Sequence, residues 1–215
     1  MQGLFSIDSK FMQVLSRIYD IAVLNMLYLL TCLPIFTIGA ATSALYAVCF
    51  RMGTDREEGI LKTYFRSFRT NFLQGTGLFL LLFVGELLCL LAIRILLPQK
   101  GWMSMVSYLW IVLLVLLSFL YSYAFPLQSQ FCNSVGQTLK NALLLSVGFL
   151  PRTLLVCLLN ALPLGVLVLA PEVGLRIGYV WFFFYFSAAA YVNSRILQKV
   201  FALYIKQEDN PQNHE

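Results

Sequence analysis

Charge is what this chain has least of: only 12% of its 215 residues are Asp, Glu, Lys or Arg, against 60% that are hydrophobic. That balance excludes an ordinary soluble domain and leaves no polar stretch long enough to form a separate one. Histidine is nearly missing. His214 is the single copy, and it lies in a polar tail, which argues against a histidine-based metal site or general base. The five cysteines, Cys32, Cys49, Cys89, Cys132 and Cys157, stand singly in apolar surroundings without a C-x-x-C pair. They read as reduced packing residues. Phosphate-binding loops, nucleophile elbows and zinc-binding helix patterns are all missing. No enzymatic activity, no cofactor and no nucleic-acid partner is therefore expected. The opening MQGLFSIDSKFMQ carries polar and acidic residues and no small-residue cleavage site, so it does not read as a removable signal peptide.

What is present is a series of long apolar runs, the pattern of an all-α polytopic membrane protein. Six spans are expected, at about Ile18 to Pro34, Ile38 to Met52, Phe72 to Leu97, Trp102 to Pro126, Pro151 to Ala170 and Gly174 to Asn193. Amphipathic interfacial helices are expected at about 4–17, 55–71 and 134–148, and residues 207–215 read as a tail. All of this forms one membrane domain. Between the first two spans, LPIFTIGAA turns the chain without a single charge, with Pro34 and Gly39 as its punctuation. The second span is short. At 1.5 Å per residue it reaches only about 22 Å, less than the roughly 30 Å hydrocarbon core, so the hairpin has to tilt, thin the bilayer or stop short of the far side. Gly39 with Ser43, and Ala40 with Ala44, give the small-xxx-small spacing that lets two helix backbones approach closely.

The most charged stretch is Arg51 to Gln74. Thr54 and Glu57 have capping-box spacing, with Asp55 and Glu58 as a second frame, which marks a helix start. On a helical wheel Ile60, Leu61, Tyr64, Phe65, Phe68 and Phe72 share one arc, while Lys62, Arg66 and Arg69 form a basic edge beside it. Such a helix is expected to lie on the bilayer face. Like charges at Lys62 and Arg66 cost about 0.2–0.5 kcal/mol in an isolated helix, which favours an anionic counterpart, either lipid phosphates or a partner protein.

Polar residues inside the spans are few, and each needs a partner. Asp20 has Arg17 three residues earlier on the same face, the spacing of an interfacial ion pair. Asn25 and Asn160 need hydrogen-bond partners on other helices. Glu86 is the exceptional one. It falls near mid-span, about 12 Å along the helix from Arg94, where a lone charged carboxyl costs roughly 2.5–3.5 kcal/mol. It is expected either to be held by another helix or to serve a proton or solute pathway. Further on, Asn133 to Gly148 echoes the earlier basic helix, with Ser134 and Gln137 at capping-box spacing and Lys140 where Lys62 stood, suggesting an internal parallel repeat. With odd-numbered turns outside, only Arg94, Lys100 and Arg176 lie there, so the positive-inside rule puts both termini in the cytoplasm.

Several of these segments together resemble a known family. Phe5 with Asp8-Ser9, Tyr19-Asp20 through Asn25, Leu33-Pro34-Ile35 with Thr37 to Ala41, and Phe65-Arg66-Ser67-Phe68 with Asn71-Phe72 are similar to the YesL-type small integral membrane proteins of bacteria. The resemblance implies a bacterial cytoplasmic (inner) membrane location and an association with carbohydrate uptake beside ABC-type importers, and it supplies no catalytic residues. The reading it favours is an accessory membrane protein that docks on importer permease or ATPase subunits through Lys62, Arg66 and Arg69. The alternatives are a stand-alone transporter or channel using Glu86, and a lipid-binding organising or sensory protein. Membrane lipids are expected partners in every case.

Overall fold

The computed structural model describes residues 4–52, 59–131 and 133–208, and among these every regular element is helical. In chain order the helices are α1 (Leu4–Cys32), a 3-10 turn (Ile35–Thr37), α2 (Ile38–Arg51), α3 (Ile60–Thr70), α4 (Phe72–Leu96) and α5 (Trp102–Gln130). Then follow α6 (Val135–Gly148), α7 (Leu150–Leu169), α8 (Pro171–Arg176), α9 (Gly178–Val180), a π-helical turn (Trp181–Tyr185) and α10 (Phe186–Glu208). Four segments are long and apolar enough to cross a membrane: Met12–Cys32, Phe72–Leu96, Trp102–Gln130 and Leu150–Leu169. Little of their surface is buried inside the protein. That fits helices solvated by lipid on most sides.

Local chemistry sets the breaks. Pro98 cannot continue α4, and Gly101 takes φ 75°, a conformation other residues rarely adopt, before α5 begins. Pro126 and Pro163 lie inside α5 and α7, where neighbouring helices make such residues tolerable. Ser134 caps α6, its hydroxyl accepting from the Gln137 amide at 3.4 Å. The Thr54–Glu57 and Asp55–Glu58 cap frames lie outside the described residues, as does most of the C-terminal tail.

Three expectations change. The approach helix at 4–17 and the span from Ile18 are one continuous helix, α1. The segment from Gly174 to Asn193 is not one regular helix; it is split among α8, α9, the π-helical turn and the start of α10. The largest change concerns α2, expected as the second span. Near its start, Gly39 lies directly against Gly75 in the first turn of α4, and Ser43 donates to Gln128 near the end of α5 at 3.0 Å. Near its end, the Phe50 ring meets Phe201, which in turn meets Phe131 at the α5 terminus. Gln74 of α4 donates to the Asn133 carbonyl at 2.5 Å, so the start of α4 and the end of α5 are together. Both ends of α2 therefore sit at one end of the bundle. The helix runs across that end of the bundle, and residues Gly39 to Phe50 are buried without exception.

The small side chains explain how α2 can be enclosed. A Cβ built on Gly39 would collide with the Gly75 carbonyl oxygen, and one built on Gly75 would lie 2.9 Å from the Ala40 nitrogen. Only bare backbone allows that approach. Ala40, Ala41 and Ala44 are likewise sealed from solvent. At the other end of α2 the orphan carbonyls are met from α10: Arg195 Nη2 donates to Met52 O at 2.5 Å, and Gln198 Nε2 donates to Phe50 O at 3.1 Å.

Candidate functional site

Beneath α2, toward the middle of the bundle, is a cavity of about 180 Å³. Four tyrosines line it, one each from α1, α2, α5 and the π-helical turn: Tyr28, Tyr46, Tyr121 and Tyr185. Thr42, Ser122 and Asn160 add further polar atoms. The donors and acceptors are organised from outside the cavity. Asn193, fully buried on α10, donates its Nδ2 to Asn160 Oδ1 at 2.9 Å and to the Tyr46 hydroxyl at 3.3 Å. The Tyr28 hydroxyl is 3.5 Å from Thr42 Oγ1, and the Tyr185 hydroxyl donates to Leu159 O at 2.5 Å. Asn193 Oδ1 and Ser187 Oγ are buried with no partner. The wall is uncharged, its polar atoms set among Leu45, Phe186, Ala189 and Ala190.

Asn25 holds one side of this wall. Its Nδ2 donates to Phe182 O at 2.6 Å and its Oδ1 accepts from the Ser187 amide at 2.9 Å. A π-helical turn displaces the regular i→i−4 pattern and leaves backbone groups to be satisfied from elsewhere. The side chain of Asn25 supplies both a donor and an acceptor across that turn, which fixes Tyr185 against the cavity. Asn160 lines the cavity itself.

The other intramembrane polar residues are separate. Asp20 Oδ2 lies 4.0 Å from Arg17 Nη1 on the outer portion of α1, away from the cavity. Glu86 lies on the same stripe of α4 as Leu82 and Cys89, both buried. Among the described residues no hydrogen bond or ion pair reaches its carboxyl; the Tyr121 hydroxyl is within electrostatic range.

The basic helix α3 is mounted on the protein by one face. Thr63 and Tyr64 are buried, Ile60 and Phe68 pack against the core, and the Tyr64 hydroxyl meets Thr31 Oγ1 at 2.5 Å. Burial pushes the Tyr64 phenol well above its usual range, so it stays neutral. Leu61 and Phe65, expected on the apolar arc, are exposed beside Lys62, Arg66 and Arg69. The buried stripe is thus rotated away from the centre of the apolar arc, toward Thr63, because Thr63 faces α2. The tyrosine cavity had a faint sequence signal. Tyr28, Tyr46 and Tyr121 are phenols inside apolar runs away from the interfaces, where tyrosine is normally found.

Among the described residues no three His, Cys, Asp or Glu side chains are grouped so as to hold a metal ion. The cavity can bind by hydrogen bonding, and it offers no charged group for acid–base work. The fold is a bundle of helices, four of them long and apolar enough to cross a membrane, with a partly open, uncharged cavity under a buried transverse helix. Residues 21–93, from α1 through most of α4, match the model of a family described as a protein of unknown function, DUF624. No curated protein and no solved structure matches the chain.

Proposed function

We propose that the protein is a YesL-like accessory membrane protein that assists or assembles with an ABC-type carbohydrate uptake system, docking through α3. The observation that carries this reading is the mounting of α3. One face is locked onto the fully buried α2, and the other presents Leu61, Phe65, Lys62, Arg66 and Arg69 together at the basic end of the bundle. Aromatic and basic side chains exposed on a rigid support are the composition of a protein-docking surface. The family match includes all of α3, and that family is associated with YesL-like proteins. The carbohydrate context comes from the resemblance. Affinity purification from native membranes tests the proposal. Importer subunits should accompany the wild-type chain, and Lys62→Glu/Arg66→Glu/Arg69→Glu should lose them. Recovery of the protein alone, with growth on oligosaccharides unchanged by its deletion, refutes it.

The same reading assigns the chain to the bacterial cytoplasmic membrane, with the α3 end inside because basic residues concentrate there. With α2 lying across the bundle end, this reading has five passes in place of six: α1, α4, α5, α7 and the segment from α9 through α10. The C-terminus then lies in the cytoplasm and the N-terminus on the opposite face, which revises the placement of both termini inside. The internal repeat is retained in a reduced form, as two short basic helices, α3 and α6, each leading into a span.

The tyrosine cavity favours a second reading, a transporter for a small neutral solute with Glu86 on its path. Liposomes containing the protein should then show solute flux that Glu86→Gln alters. Absence of flux for any sugar or ion eliminates it.

A further inference from the structure

Where α7 begins, a groove of about 420 Å³ opens between it and the middle of α10. Three cations line it, Arg152, Arg195 and Lys199, and among the described residues no carboxylate does. Three like charges around one groove repel each other, and a protein keeps such an arrangement where an anion offsets it. The α7 N-terminus adds the positive end of its helix dipole to the same place.

The three cations are not equivalent. Arg195 is committed to the scaffold: it donates to Met52 O, Gln198 Oε1 and the Tyr191 hydroxyl, with its guanidinium carbon 4.9 Å from the Tyr191 ring centroid. It contributes a fixed charge in the wall. Arg152 lies over the Phe149 ring at 5.4 Å, and its Nη1 is buried with no hydrogen-bond partner among the described residues. A buried guanidinium nitrogen without an acceptor is costly unless something supplies one. Lys199 is exposed at the mouth of the groove. The rest of the lining is Tyr191 with the apolar Leu155, Val192 and Ile196. Leu155 and Val192 are about half exposed on the outside of the bundle.

We infer that this groove binds the phosphate of an anionic membrane phospholipid, with Arg152 and Lys199 as ligands to the phosphate oxygens. Position selects the lipid over a free anion. Arg152 lies in the first turn of a helix that spans, at the depth of lipid headgroups, and the apolar lining continues from the cations toward the hydrocarbon, where an acyl chain would run. The site lies on α7 and α10, away from α3, so it does not depend on the docking proposal.

The test uses the full chain in phosphatidylcholine nanodiscs doped with phosphatidylglycerol, with bound lipid counted by native mass spectrometry. Wild type should retain phosphatidylglycerol selectively. Loss of about 1 kcal/mol per basic residue makes retention roughly 30-fold weaker in Arg152→Gln/Lys199→Gln and about fivefold weaker in Lys199→Gln, whose exposed position leaves folding intact. Arg94→Gln/Lys100→Gln removes equal charge at exposed positions outside the groove and should leave retention unchanged. Equal weakening by that control, or no weakening by Lys199→Gln, overturns the proposal. Displacement of the lipid by millimolar inorganic phosphate would reassign the groove to a free phosphate-bearing solute and overturn it as well.

Discussion

Single side chains decide two of the tightest places in the molecule. Asn25 is sealed from solvent and makes two hydrogen bonds to the backbone around the π-helical turn. Asn25→Leu strands both backbone groups, and each buried unsatisfied group costs about 1–3 kcal/mol. Thermal unfolding in detergent should show a clear loss of stability. Gly39 gives the sharper comparison. A methyl there collides with the Gly75 carbonyl, whereas a methyl at Gly77, two residues beyond Gly75 on α4, meets nothing within 4 Å. Gly39→Ala should destabilise by about 1–3 kcal/mol, the range for overpacking, and Gly77→Ala should be silent or slightly stabilising. Equal unfolding midpoints for the two variants would show that the α2–α4 contact is looser than described.

At the level of elements, α2 and α3 act as one unit, a buried transverse helix with a surface helix fastened to it. The Tyr64–Thr31 hydrogen bond joins that unit to α1. Tyr64→Phe keeps the ring packing and removes only this bond, so it should cost about 0.5–1.5 kcal/mol and leave the exposed face of α3 unchanged. A partner that binds this face should therefore tolerate Tyr64→Phe and reject Phe65→Glu, read by co-purification. Much of this unit was legible in the sequence. The spacing of Gly39, Ala40, Ser43 and Ala44 predicts close packing, and the helix is too short to cross, which predicts that something must give. Why it runs across the bundle is not legible, because that depends on contacts with Gly75, Gln128 and Phe201, which lie far along the chain from α2. The grouping of the tyrosines around one cavity was illegible for the same reason. Its lining is drawn from helical segments along most of the chain, and no local period relates Tyr28 to Tyr185. Asn25 and Asn160 were recognisable as polar groups in apolar runs, but their partners were not.

For the whole molecule, the proposed arrangement with a transverse α2 has five passes and puts the two termini on opposite faces. Fusions to alkaline phosphatase and to green fluorescent protein, at the N-terminus and after Glu208, distinguish the arrangements. Five passes predict opposite reporter activities at the two ends, and six predict the same activity at both. The π-helical turn has a consequence at this scale. One residue of insertion in a helix advances everything beyond it by about 100° of rotation. Tyr185 looks into the cavity while Asn193, Arg195 and Gln198 address α2. Removing a single phenylalanine from Trp181–Tyr185 would restore a regular helix without touching any polar side chain. It would also turn the outer half of this last pass out of phase with its inner half, so that Asn25 faces a side chain instead of a free carbonyl. The two halves of this last pass are thus kept in register by one surplus residue.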